Sequence, residues 1–572
     1  MAVKSRTAFT IVIVTIFLMI SCAYFPQGQT KLEAAQGGDE SFNRYYHYSL
    51  ATLYSLNGEI DKAINEYRKV IRFDQSSAEL RIELASLYVR NGQKEKAIAT
   101  LEQSIVYNPR DLDSHLLLGG LYGNLKQFDK AIGEYERVIE IDPDKHEAYL
   151  FLSIFFQEVG EPDKAVSILK KLLTTSPNHL MGSYYLAKIY LKMGAQDDAE
   201  QWLKKTLALK PAFESAALDL GHLYETQKNS DKVIETYGEF IRLNPEAIPM
   251  RLRLGQIFFR MEQYSEAERV SREVLEIDNS QMDARFSLGL SLLFAGENFD
   301  EAIGEFLAVL KNDPQNFKAR FFLASAYEKT NNFSAALQEF SRIPVDSDLY
   351  VNSRIHMGFI LKENGRTEDA IEVLGKAIDR KGTADELYGF LAALFEENNQ
   401  LDRAEDTLKK GLSIAPESID LHYKLGVIYS KMKRDEESLQ EMERVLAIEP
   451  ENAEALNFIG YSYADRGIKL DEAERLIKRA MELKPGNGYI TDSLGWVYYR
   501  QGKMLEAVKY LEEAFHITPE DPTIAEHLGE IYEKTGEGRK ALEMYRRALE
   551  LKPENKDLQE KIDKLTGEAT TE

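Results

Sequence analysis

The sequence predicts an all-α chain, a solenoid of about fifteen stacked helix pairs. Three observations lead there. A small residue returns every 34 or 35 positions from Ala51 to Gly529. Each return is followed twelve or thirteen residues later by Ala, Val or Ser, and in most copies by Pro twelve beyond that. Within each period apolar residues recur twice at helical i, i+3, i+4, i+7 spacing, with one break between. A unit of this length cannot bury its own apolar face, so each must stack on its neighbours.

The elements follow in chain order. Residues 1–21 read as a signal peptide, because Lys4 and Arg6 precede an apolar run from Ala8 to Ile20 that is too short to span a bilayer. The only cysteine, Cys22, ends this run in Leu18-Met19-Ile20-Ser21-Cys22. That stretch resembles a bacterial lipoprotein signal, with Ser21 as the small residue before a lipidated Cys22 and Met19 departing from the usual Leu. The resemblance implies membrane attachment at Cys22. With Ala23 rather than Asp next, it also implies an outer-membrane location facing the periplasm. Ordinary cleavage after Ala23 and an uncleaved anchor are the alternative readings. Residues 22–43 then form a tether, since Gly28-Gln29-Thr30 and Gln36-Gly37-Gly38-Asp39 carry no periodicity.

Residues 44–555 hold the repeat. Its first frame position is Ala51, Ala85, Gly119, Ser153, Ala187, Gly221, Gly255, Gly289, Ala324, Gly358, Ala392, Gly426, Gly460, Gly495 and Gly529. The second is Ala in thirteen copies, with Val233 and Ser438 as the exceptions. The third is Pro in eleven, with Gln75, Asn279, Asp348 and Gly382 in the others. Both 35-residue steps place the extra residue between the first and second positions, at Gly289 to Ala302 and Gly460 to Ala473. Small side chains at the first two positions let the paired helices approach closely, and Pro ends the second helix. This period and residue pattern resemble the tetratricopeptide repeat family, as do the aromatics in Gly495-Trp496-Val497-Tyr498. The resemblance implies a right-handed superhelix of helix–turn–helix units, with first helices lining a concave groove.

Pro344 arrives early, so the second helix before it must stop at or before Ile343. Residues 344–384 read either as a bend in the solenoid or as an ordinary irregular repeat. Residues 556–572 read as a capping helix with a frayed tail. Leu558, Ile562 and Leu565 make its inward stripe.

Composition narrows the function. The formal charge is −23, from 71 basic and 94 acidic residues, which argues against nucleic-acid binding. One cysteine excludes an internal disulfide framework and a Cys-based zinc cluster. No phosphate-binding loop, His-Glu-x-x-His motif or other catalytic constellation is present, so the expectation is a non-enzyme without cofactor or metal. His47 and His115 share one frame position, four before the small residue, which favours packing over metal ligation.

By the resemblance, residues two before, one after and five after each small residue point into the groove. Tyr185, Phe322, Phe390 and Phe458 stand two before; Phe359, Tyr461 and Trp496 stand one after; Arg500 stands five after. Tyr489 joins the densest cluster, around Trp496. Aromatics with Arg supply much of the energy at protein interfaces. Each ring can equally be inter-helix packing. None of the residues just after the small position is Asn, so the carboxylate clamp known in this family is not expected. The expected role is an envelope-anchored scaffold for protein partners or peptide segments. It would support assembly of secretion, outer-membrane or polysaccharide-export machinery. The alternative is a periplasmic carbohydrate-associating protein that stacks sugars on those rings. Oligomeric state is not encoded in any pattern found.

Overall fold

A computed structural model describes residues 40–569; the signal segment, Cys22 and most of the tether lie outside the described residues. Among the described residues there are thirty-one helices and no strand. They divide into two compact units. The first, ending at Pro245, holds repeats 1–6; the second, from Glu246, holds repeats 7–15 and a terminal helix, Lys556–Ala569. No described helix is long and apolar enough to cross a membrane.

The frame read from the sequence becomes a set of contacts. All fifteen first positions and all fifteen second positions are buried. Seven residues after each small position the backbone turns left-handed, from Gly58 (φ 77°) to Gly536 (φ 83°). Glycine takes that conformation without steric cost. Lys126, Lys228, Glu262, Asn331, Asn399 and Lys433 adopt it in its absence. In the two 35-residue repeats the extra residue is absorbed in this same turn, which then carries a second left-handed residue, Asn298 or Lys469.

Helix starts are also fixed by the frame. Eight before the small position, Ser77, Asp111, Asn316, Asn452, Asn487 and Asp521 each accept a hydrogen bond from a backbone N–H of the first helix turn. Such caps satisfy donors that a helix end leaves open. Four before the small position, a longer polar side chain donates to the carbonyl of the turn six residues earlier. His115 Nε2 reaches Pro109 O at 3.1 Å, Tyr149 Oη reaches Pro143 O at 3.1 Å, and His422 Nε2 reaches Pro416 O at 2.9 Å. The other ring nitrogen of His115 meets Glu134 at 2.6 Å, on the second helix. His47 and His422 meet Glu66 and Glu441 in the same way, at 2.5 and 2.6 Å. His115 and His422 therefore tie the two helices and the preceding turn together, and His47 ties its two helices, all as packing residues.

Fourteen second helices have fourteen residues, whereas the one before Pro344, Phe333–Ser341, has nine. Pro344 cuts it short, as the sequence requires. Its open carbonyls are covered by the buried Arg354 of the next repeat. The Arg354 guanidinium donates to Phe340 O at 2.6 Å, Ser341 O at 3.2 Å and Ile343 O at 2.8 Å. The terminal helix buries Leu558 and Ile562, with Leu565 partly covered, as its stripe predicts.

Candidate protein-binding surface

The surface in question is the face of the first helices, where the frame places side chains just before and just after the small residue. The nine sequence-predicted residues separate into three groups. Phe359, Tyr489 and Arg500 are exposed. Tyr185, Phe322, Phe390, Phe458 and Tyr461 are half-buried. Trp496 is buried, at 6% exposure.

Neighbouring repeats explain the differences. Phe322 sits among rings, with centroids 6.0 Å from Phe286, 6.2 Å from Phe294 and 6.3 Å from Phe306. Phe390 turns towards the small residue of the preceding repeat, so that a Cβ on Gly358 would stand 3.1 Å from its ring. Phe458 meets Tyr423 edge to face at 6.3 Å. In the first unit, Tyr185 lies 6.2 Å from Tyr184, and burial pushes its phenol pKa up. Arg500 reaches the turn at Gly467.

The densest cluster centres on His527. Its ring stacks on Trp496 at 4.2 Å and 20°, and lies 6.3 Å from Tyr461. Nδ1 meets both carboxylate oxygens of buried Asp492 at 3.0 Å. Burial lowers the His527 pKa, but the hydrogen bond and charge of Asp492, with the charges of Glu530 and Glu526, outweigh it, and the net shift is upward. Beside it Lys561 of the terminal helix bridges Glu526 at 2.8 Å and Glu530 at 2.6 Å. Trp496 Nε1 is buried without a hydrogen-bond partner. The structure thus brings Tyr461 and Trp496 to one place, as expected, but makes Trp496 part of the packing between repeats 14 and 15.

Sequence reasoning missed two features. Phe294 is exposed in the second unit and meets Phe259 edge to face at 5.3 Å and Tyr264 at 6.0 Å. It stands five after Gly289, so the frame itself marks it. The Asp492–His527 pair crosses from one repeat to the next, and only the stacking of repeats joins its members. Among the described residues no group of three or more His, Cys, Asp or Glu is placed to hold a metal ion.

What this arrangement defines is a helical-repeat interaction scaffold: rigid helix pairs presenting isolated aromatic and basic side chains. The chain belongs to the tetratricopeptide repeat family. Models of that repeat match residues 51–92, 82–146, 156–220, 248–281, 286–348, 361–418, 419–452 and 498–565. A TPR repeat-containing protein of Pseudomonas aeruginosa is 27% identical over 189 residues, 33% of this chain and 32% of that protein. Another, of Methanocaldococcus jannaschii, is 31% identical over 93 residues, 15% of this chain and 29% of that one. The chain therefore spans about a third of the length of the curated relatives it matches. Among solved structures, the APC/C hetero-tetramer Cut9–Hcn1 is similar over 91% of this chain and 96% of its own, at 14% identity and a TM-score of 0.37. The MamA protein is similar over 30% of this chain and 93% of its own, at 23% identity and a TM-score of 0.28.

Proposed function

We propose that the chain is a non-catalytic scaffold of the bacterial cell envelope. It holds protein partners on its first-helix face and is attached to the membrane through Cys22. The assemblies it serves would be those of secretion, the outer membrane or polysaccharide export. One observation carries the binding reading. Phe359 and Tyr489 are large apolar side chains left exposed on first helices whose small frame residues are fully packed beneath them. Exposed aromatics on a rigid support are the residue type that anchors partners, because little conformational freedom is lost on contact. Lys4, Arg6, the apolar run to Ile20 and the lone Cys22 support the envelope reading.

A photo-crosslinker placed at Phe359 or Tyr489 should capture the same protein from intact cells. Phe359→Ala with Tyr489→Ala should abolish its co-purification while leaving helicity unchanged. Capture that persists in the double variant would sink the surface assignment. Attachment is tested separately: blocking lipoprotein signal processing should raise the mature mass, and an unchanged mass would overturn it.

A further inference from the structure

The first helix of the array, Glu40–Leu56, differs from every other first helix of its unit. Two positions show this, five before and two after the small residue. In repeats 2–6 the first of these is Leu80, Ser114, Ala148, Gly182 or Ala216, and all are buried. The second is Leu87, Leu121, Phe155, Ile189 or Leu223, again all buried. The preceding repeat does the covering. A Cβ on Gly182 would stand 3.1 Å from Leu172, and Phe155 packs on Gly123 and on Phe128 at 5.9 Å. In repeat 1 the same two positions are Tyr46 and Leu53, 45% and 51% exposed.

These two belong to a longer line. Phe42, Tyr46, Ser49, Leu53 and Leu56 are all exposed and are spaced 4, 3, 4 and 3 residues apart. That spacing keeps the five on one side of the helix, as in a helix–helix seam, with Asn43, Tyr45 and Tyr48 exposed beside them. The line is nearly symmetric about its centre, where the residue is small. If a second such helix runs antiparallel with Ser49 at the crossing, Phe42 meets Leu56 and Tyr46 meets Leu53. With the flanking Tyr45, the exposed part of these side chains amounts to on the order of 500 Å² per copy, about 1,000 Å² for a pair, the lower bound for a specific interface. The last described helix offers no such surface. Among its described residues the exposed ones are Lys556, Asp557, Gln559, Glu560, Asp563, Lys564 and Gly567, so end-to-end stacking through it would bury charge.

We propose that two copies of the chain associate N-terminal end to N-terminal end, their Glu40–Leu56 helices packed antiparallel across a two-fold axis at Ser49. Ser49 and Leu56, two groove positions of repeat 1, enter this interface, while the groove positions of repeats 2–15 stay free for other partners. Sedimentation velocity of the full chain in mild detergent, at about 50 µM, tests this. The expected result is a dimer whose dissociation constant rises at least tenfold in Tyr46→Glu with Leu53→Glu, with helicity unchanged because both side chains are exposed in the single copy. Ser49→Cys in a Cys22→Ser background should give a disulfide-linked dimer on mild oxidation, whereas Leu505→Cys, exposed in repeat 14, should not. A monomer at that concentration would overturn the proposal, and so would a dimer indifferent to the double substitution. Concentration-independent protection of residues 42–56 from hydrogen exchange would also overturn it, assigning the face to residues 1–39 of the same chain.

Discussion

The ring of Tyr135 occupies the ground beside Gly119 so closely that a Cβ there would stand 2.8 Å from it. The same relationship recurs one helix pair at a time. Tyr237 faces Gly221, Phe306 faces Gly289, Met442 faces Gly426 and Tyr545 faces Gly529. Seven second helices carry Tyr, Phe or Met at this place; five of them face a Gly, whereas Tyr67 and Phe340 stand opposite Ala51 and Ala324. At Gly255 the corresponding residue is Ser271, and a Cβ would meet nothing nearer than 3.8 Å.

Gly119→Ala should therefore destabilise repeat 3 by about 1–3 kcal/mol, since the buried Tyr135 ring, packed against Phe151 and Phe155, must shift to make room. Gly255→Ala should stabilise repeat 7 by about 0.5–1 kcal/mol through helix propensity alone. Unfolding of a long array is not a single cooperative step, so the measurement is the local opening energy from native-state hydrogen exchange. Equal effects of the two substitutions would contradict the packing account.

Arg354 gives a second prediction. Its guanidinium covers three carbonyls at the end of the shortened helix and lies 4.4 Å from the Tyr350 ring. Arg354→Met should cost about 3 kcal/mol locally, because the helix end then stays buried without donors. Exchange should quicken over residues 333–349 and leave the flanking repeats unchanged. Slow exchange retained there would mean that another group covers those carbonyls.

The repeat was legible in the sequence because its determinants are local in each copy: a small residue, a second small residue twelve on, a turn and a Pro. Pro344 even announced the one shortened helix. The binding face was legible only as a set of positions. Phe359 and Trp496 share one frame position, yet Phe359 is exposed and Trp496 is buried. The cause lies in the following repeat. His527 stacks on Trp496, whereas Phe390, its counterpart beside Phe359, turns to Gly358 instead. Whether a ring projects or packs is decided by a residue 31 positions away, through stacking that no local pattern records.

Glu474 couples repeats 13 and 14. Lys478 donates to it at 2.7 Å, Gln501 at 2.9 Å and Lys503 at 3.2 Å. Burial alone would raise its pKa, but these donors outweigh burial and hold it at about 2. A carboxyl depressed below its unfolded value of about 4.3 stabilises fully above that value and loses its contribution as pH falls towards 2. Exchange protection of repeats 13 and 14 should decline between about pH 5 and 2, and Glu474→Gln should flatten that decline. An unchanged slope in the variant would show that other carboxylates carry it.

His527 makes the opposite pH prediction for repeats 14 and 15. Asp492, Glu526 and Glu530 face it with negative charge, Lys561 stands beside the two glutamates, and the Trp496 and Tyr461 rings flank it. Its pKa is raised above the ordinary histidine value, so its contribution to stability is complete below about pH 6.5. That contribution is lost as pH rises through the folded value. Exchange in the helices Gly488–Arg500 and Pro522–Lys534, corrected for its intrinsic pH dependence, should be slower near pH 6 than near pH 8.5. Asp492→Asn should bring the imidazole titration, followed by NMR, down towards the unperturbed value and shrink the difference. If protection at repeats 14 and 15 were the same at both pH values, the Asp492–His527 pair would not be what joins them.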